Sequence, residues 1–221
     1  MSAIDNNCRH FVKSGMAKKS TKPEKPKRPL HPAPANALTR TGELERQGYS
    51  RPHIRALVER GVLEQVSRGL YRVAEQTPDE HFTLLAVIAR VPRAIVCLLS
   101  ALRFHNIGTQ SPHEVWIAID RKARKPRLAN LPVKVVRFSG AGLDAGVDTH
   151  PIGARKVRVT SPARTVADCF KYRNKIGLDV ALETLRETWR GRRATADELW
   201  RYAKIFRVAN VMRPYLETLT A

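Results

Sequence analysis

The chain has 221 residues, 43% of them hydrophobic, with 40 Lys and Arg against 20 Asp and Glu for a formal net charge of +20. That length and apolar content suit one small and one medium domain around a real core. The charge draws the chain toward polyanions, nucleic acid first, and fits a membrane surface poorly because no helix pairs a Lys/Arg face with a continuous bulky apolar one. Cys8, Cys97 and Cys169 are odd in number, far apart and never in a Cys-x-x-Cys pair, which excludes a disulfide framework and a cysteine zinc site. Cys97 and Cys169 sit in apolar stretches and read as inert core residues. The longest apolar run, Ala94 to Leu99, is far too short to span a bilayer. Asp5, Asn6, Asn7 and Cys8 stand where a signal peptide would be apolar, so a cytoplasmic protein is expected.

Residues 1–35 carry eight Lys/Arg, two acids and five prolines from Pro23 to Pro34. Such a stretch cannot bury enough surface to fold, and a flexible basic leader is expected, with Met16 a second possible start. Its charge suits non-specific phosphate contact or simple solvation.

Residues 36–77 read as a winged helix-turn-helix. Thr39 or Thr41 can cap a short helix carrying Leu44, and Gly48 ends it. Ser50 is a good N-cap for a second helix with Pro52 in its first turn, running to about Arg60 and stopped by Gly61. Ile54, Leu57 and Val58 share its inner face, leaving Arg51, His53, Arg55 and Arg60 on the other side. Val62, Leu63 and Val66 then suggest a strand, Ser67-Arg68-Gly69 a tight turn, and Leu70 to Val73 a return strand. A hairpin directly after the second helix is the wing of a winged helix, and the helix that usually opens such a module is short or absent here. The second helix fits the major groove, where Arg51, His53 and Arg55 are placed to meet base edges. Ser50 with the helix N-terminus suits a phosphate, and Arg68 projects from the wing tip toward a phosphate or the minor groove. The plainer alternative is that these arginines only solvate an outer face.

From Pro78 the pattern changes to a mixed α/β domain, strands first and helices last, for an overall α/β (α+β) chain. Asp79 is expected to cap a helix through Phe82, Leu85 and Ala89, and a second apolar helix to run from Ala94 to His105. Strands follow at Val115–Ile119, Val133–Phe138 and Lys156–Val159. Ser161 caps a helix with Pro162 at its first position, and three more helices lie near 179–190, 196–206 and 208–219. Thr195 with Glu198 forms a capping box for the second of these three. Trp116, Trp189 and Trp200 read as core, and His105 as a helix-end or core contact.

Three strings of this region, Ser100-Ala-Leu-Arg-Phe-His105, Pro112-His-Glu-Val-Trp-Ile117 and Val159-Thr-Ser-Pro-Ala-Arg-Thr-Val-Ala-Asp-Cys169, resemble the abortive-infection AbiEi antitoxin family. Met212-Arg-Pro-Tyr215 and the Arg68-Gly-Leu-Tyr71 wing are similar too, so the likeness covers about residues 38–219. The resemblance implies a winged helix that represses its own operon at an inverted repeat of double-stranded DNA. It also implies a C-terminal antitoxin domain, 78–221, opposing a nucleotidyltransferase toxin. The family is grouped as type IV, so no tight antitoxin–toxin complex is expected; a stand-alone regulator is the alternative. Within the most specific string, Arg164, Thr165 and Asp168 stand out, and Arg164 and Asp168 share a helix face as a structural ion pair.

No cofactor and no metal are expected. A restriction-type nuclease would need an acid and an acid-x-Lys on a strand, and Asp120-Arg-Lys122 has that form. Its partner acid is missing, since Glu114 lies on the same strand and Asp79 and Glu80 two elements earlier, so the reading is of a non-enzyme. Residues 36–77 hold seven basic and five acidic residues, whereas 78–221 hold 25 and 13. The surplus lies in runs at Arg121–Arg127, Arg155–Arg158 and Arg190–Arg193, and at least one run is expected beside the reading head.

Overall fold

The computed structural model describes residues 38–74, 81–126, 128, 131–153 and 155–220, all within one unit of the chain, 32–221. The basic leader and the Asp79 cap lie outside the described residues.

The first elements are β1 (Thr39–Arg40), α1 (Thr41–Arg46), α2 (Arg51–Glu59), β2 (Leu63–Ser67) and β3 (Leu70–Val73), with the strands in the order β1-β3-β2. Gly48, at φ +95°, turns the chain between the two helices. Ser50 caps α2 by accepting from the His53 N–H at 3.4 Å, with Pro52 tolerated in the first turn. The apolar face of α2 is buried through Ile54 and Leu57, and α2 packs on α1 and β2. The expected threonine cap of α1 is replaced. Thr39 is spent in β1, Arg40 occupies the cap position, and the Glu43 carboxylate accepts the Arg40 N–H at 2.7 Å. Thr41 instead reaches the wing, where its N–H and hydroxyl both donate to the Gly69 carbonyl, at 3.1 and 3.3 Å.

The larger sheet is built from β4 (Ile95–Val96), β5 (Val115–Asp120), β6 (Val133–Phe138), β7 (Val147–Ile152) and β8 (Arg155–Thr160), ordered β6-β5-β4-β8-β7. Between them run α3 (Phe82–Arg90), α4 (Leu98–Phe104) and α5 (Ala141–Asp144). After β8 come α6 (Pro162–Lys171), α7 (Arg173–Ile176), α8 (Leu178–Arg190), α9 (Ala196–Ile205) and α10 (Ala209–Thr220). The expected helix from Ala94 to His105 is therefore a strand followed by a helix. Ile95 and Val96 form the middle strand, antiparallel to β5 and parallel to β8, and Leu98 turns the chain at φ +50° as α4 begins. Two β-branched residues gain more from closing the sheet centre than from extending a helix.

Alternation along the strands divides the interior into two apolar layers. Ile95, Trp116, Ala118, Val136 and Phe138 face α4, α6, α8, α9 and α10. Val96, Val115, Ile117, Ile119, Val157 and Val159 face the opposite side, where α3 covers them. Leu38 and Leu70 enter this second layer, with Val66 against it, so the N-terminal module shares a core with the sheet. Cys97 and Cys169 are buried, and burial pushes both thiols up. Trp116 is core, while Trp189 and Trp200 pack partly buried against the helical layer.

Candidate nucleic-acid interface

On α2 the inner residues Ile54 and Leu57 fix which side chains look outward. Arg51 and Arg55 are 80% and 84% exposed at the side chain. His53 is half-buried, its ring edge-on to Tyr49 at 5.4 Å, and Arg60 stands exposed at the C-cap. Ser50 is exposed, but its hydroxyl already serves as the cap. Two of the outward arginines meet a carboxylate: Arg51 Nε donates to Glu45 at 2.8 Å and Arg55 Nε to Glu59 at 3.2 Å. The hydrogen bond and charge of Glu45 raise the Arg51 guanidinium above its usual value. On the sheet, Arg72 pairs with Glu64 at 2.5 Å.

The wing turns at Arg68-Gly69. Gly69 sits at φ +72°, and a Cβ there would come within 3.0 Å of the Thr41 hydroxyl, so the turn needs glycine for both conformation and space. The Arg68 side chain is exposed, while its carbonyl accepts from Arg90. The α3 carbonyl of Arg90 accepts in turn from Arg40 Nη2 at 3.1 Å. Arg155 closes the group, donating to the Leu38 carbonyl at 2.5 Å and to Glu43 at 3.2 Å. Of the run Arg155–Arg158, Arg155 therefore meets the head, whereas Arg158 pairs with Asp144 at 2.5 Å. Arg40 and Arg90 were not singled out from sequence: the hydrogen bonds joining Arg90 to the head span 22 and 50 residues and leave no local pattern.

Residues 39–74 match the family described as "Transcriptional regulator, AbiEi antitoxin". Over that segment the N-terminal module is similar to this family. The resemblance read from the sequence is borne out over this segment. The fold is also similar to that of the RV2827C protein from Mycobacterium tuberculosis, at a TM-score of 0.57 and 17% identity, over 76% of this chain. This chain spans 66% of the length of that protein. No curated protein matches the chain.

Behind the N-terminal module, the string around Arg164 builds a buried knot. Ser161 caps α6 through the Arg164 N–H at 3.5 Å. The Arg164 side chain, 0% exposed, donates to Asp168 at 3.3 Å and to the carbonyls of Gly142, Leu143 and Ala145. Its guanidinium lies over the rings of Phe138 and Phe206, at 5.2 and 5.1 Å. It ties α6 to the segment before β7, and no face of it is open to a ligand. Burial pushes the Asp168 carboxyl up to about 6 against the pull of Arg164, and its Oδ1 has no partner among the described residues. Thr165 is buried too, sharing a hydroxyl contact with Thr160 at 2.7 Å and donating to the Ser161 carbonyl at 2.8 Å. His105 ends α4 and its Nε2 meets the Thr160 carbonyl at 2.7 Å, so that nitrogen carries the proton; burial lowers its pKa.

The nuclease arrangement does not assemble. Asp120 Oδ1 accepts the Lys122 N–H at 2.7 Å in a tight turn, and Arg137 holds the carbonyls of Arg121 and Ala123. Glu114 precedes the opposite end of β5. Among the described residues no group of three His, Cys, Asp or Glu side chains could hold a metal ion, and no helix is long and apolar enough to cross a membrane.

Proposed function

We propose that this chain is a transcriptional regulator that binds double-stranded DNA with α2 in the major groove and the β2–β3 wing on the flanking backbone. The observation that carries the reading is the order of helix, turn, helix and Arg-Gly hairpin in the segment that matches AbiEi regulators. That order presents one helix face bearing Arg51 and Arg55, four residues apart, together with a hairpin tip bearing Arg68, while His53 lies half-buried on another side of α2 against Tyr49. An α-helix fills the major groove, and a bidentate arginine distinguishes guanine there. The expected target is an inverted repeat at its own operon. The second role is that of antitoxin to a nucleotidyltransferase, for which the family match is the support. The two roles divide between residues 36–77 and 78–221, without catalysis and in the cytoplasm.

Selection of duplexes from a random pool by the full-length protein tests the DNA reading. One sequence class should be enriched, and Arg55→Ala should lose about 1–3 kcal/mol on it and relax base preference. Absence of any enriched class, with no mobility shift at low salt, overturns the proposal. Co-expression with a nucleotidyltransferase encoded beside the gene tests the second role: growth should be rescued, and continued arrest overturns it.

A further inference from the structure

We infer that the main phosphate-binding surface is not the face of α2 but the wing tip together with arginines packed behind it, Arg40, Arg68, Arg90 and Arg155. The inference rests on the DNA-binding reading above and locates where the backbone is gripped. These arginines differ in their partners from Arg51, Arg55 and Arg72. Arg51, Arg55 and Arg72 each face a carboxylate, which cancels most of their field at a distance. Arg40 and Arg90 donate to main-chain carbonyls. A carbonyl orients a guanidinium without neutralising it, and a guanidinium has five N–H donors, so donors remain for a phosphate. Arg155 shares Glu43, but that carboxylate also takes the Arg40 N–H and is the one carboxylate in this hydrogen-bonded group among the described residues.

The geometry also makes the surface rigid. The Gly69 carbonyl is held by Thr41 and the Arg68 carbonyl by Arg90, so the turn that presents Arg68 is fastened from α1 and from α3. A donor group whose backbone is already ordered gives up less entropy on binding. Two of the four arginines, Arg90 and Arg155, come from outside the helix-turn-helix and add to the small charge surplus of the head. Along β8, Val157 and Val159 face the layer shared with the head. Arg155 has their parity, whereas Lys156 has the opposite one and lies on the far face of the sheet.

The test is a salt series on a random-sequence duplex with the full-length protein, reading the slope of log K against log salt by fluorescence anisotropy. Removing one charge that neutralises a phosphate should flatten the slope by about 0.9. Arg90→Gln and Arg155→Gln, which keep a donor for the carbonyl but remove the charge, should each do so. They should weaken random and preferred duplexes by the same factor. Lys156→Gln should leave the slope at the wild-type value, and Arg90→Lys should largely restore it, separating the missing charge from a loosened wing. Wild-type slopes for Arg90→Gln and Arg155→Gln, or an equal flattening with Lys156→Gln, overturn this inference while the DNA reading stands. A wild-type protein that binds no duplex at any salt overturns the DNA reading and this inference with it.

Discussion

Two helices of this protein carry the same sequence device, an arginine and a carboxylate four residues apart, and use it for opposite purposes. Arg55 and Glu59 on α2 meet at 3.2 Å with side chains 84% and 66% exposed. Arg164 and Asp168 on α6 meet at 3.3 Å, both fully buried. The distances match closely; the solvent does not. In water the first pair gains little and opens readily, which is what a group awaiting another anion requires. In the interior the second pair cannot open without stranding a charge, and it is joined to three carbonyls that have no other side-chain donor among the described residues. An ion pair is therefore a latch or a foundation according to what surrounds it.

The comparison is broken most severely at the buried end. Arg164→Met should destabilise the fold by about 3–5 kcal/mol, because Asp168 is left buried without its partner and three carbonyls lose their donor. Urea denaturation measures it, and a destabilisation as small as that of an exposed pair would mean the knot is not structural.

Next in size is a pH effect with an unusual sign. Burial pushes Asp168 up to about 6, so the folded state holds that proton more tightly than the unfolded chain does. Its contribution is then fully present below the ordinary carboxylate range and is lost as pH rises from about 4 to about 6. Compared with Asp168→Asn, the wild type should lose relative stability across that window and level off above it. Denaturation midpoints of the two proteins at several pH values check this; a wild-type advantage that grows with pH would show that Arg164 outweighs burial.

The smallest change belongs to the exposed pair. Glu59→Gln should alter stability by only about 0.3–0.5 kcal/mol. Its affinity for a random duplex should nevertheless rise, since the carboxylate no longer competes with phosphate for Arg55. Thermal melting and anisotropy on the same variant give both numbers, and unchanged affinity would mean that Glu59 does not restrain Arg55.

Much of the N-terminal module was legible because its signals are local. Ser50, Gly48 and Ser67-Arg68-Gly69 act within four residues of themselves, and the helix and hairpin limits follow them closely. The same holds for Ser161 and for the Thr195–Glu198 box, whose carboxylate accepts the Thr195 N–H at 2.9 Å. β4 and β7 were not legible. Two residues inside an apolar run look like helix, and β7 is a polar edge strand where Pro151, which has no N–H to donate, is tolerated because no further strand pairs on its outer side. β1 was missed as well, its two residues being assigned by pairing with β3.

What the sequence determined by itself, then, is everything set by short-range stereochemistry and periodicity: the caps, the glycine turns, the inner face of α2 and the strong excess of positive charge. Which of those charges act together was decided only by the tertiary structure. Arg90 reaches the wing, and Arg155 reaches Leu38 and Glu43, because α3 and β8 share an apolar layer with Leu38 and Leu70. Arg164 is a core residue because Phe138 and Phe206 close over it. A charge carries no mark of its future dielectric; packing between distant segments supplies that, and with it whether an arginine supports the fold or faces a ligand.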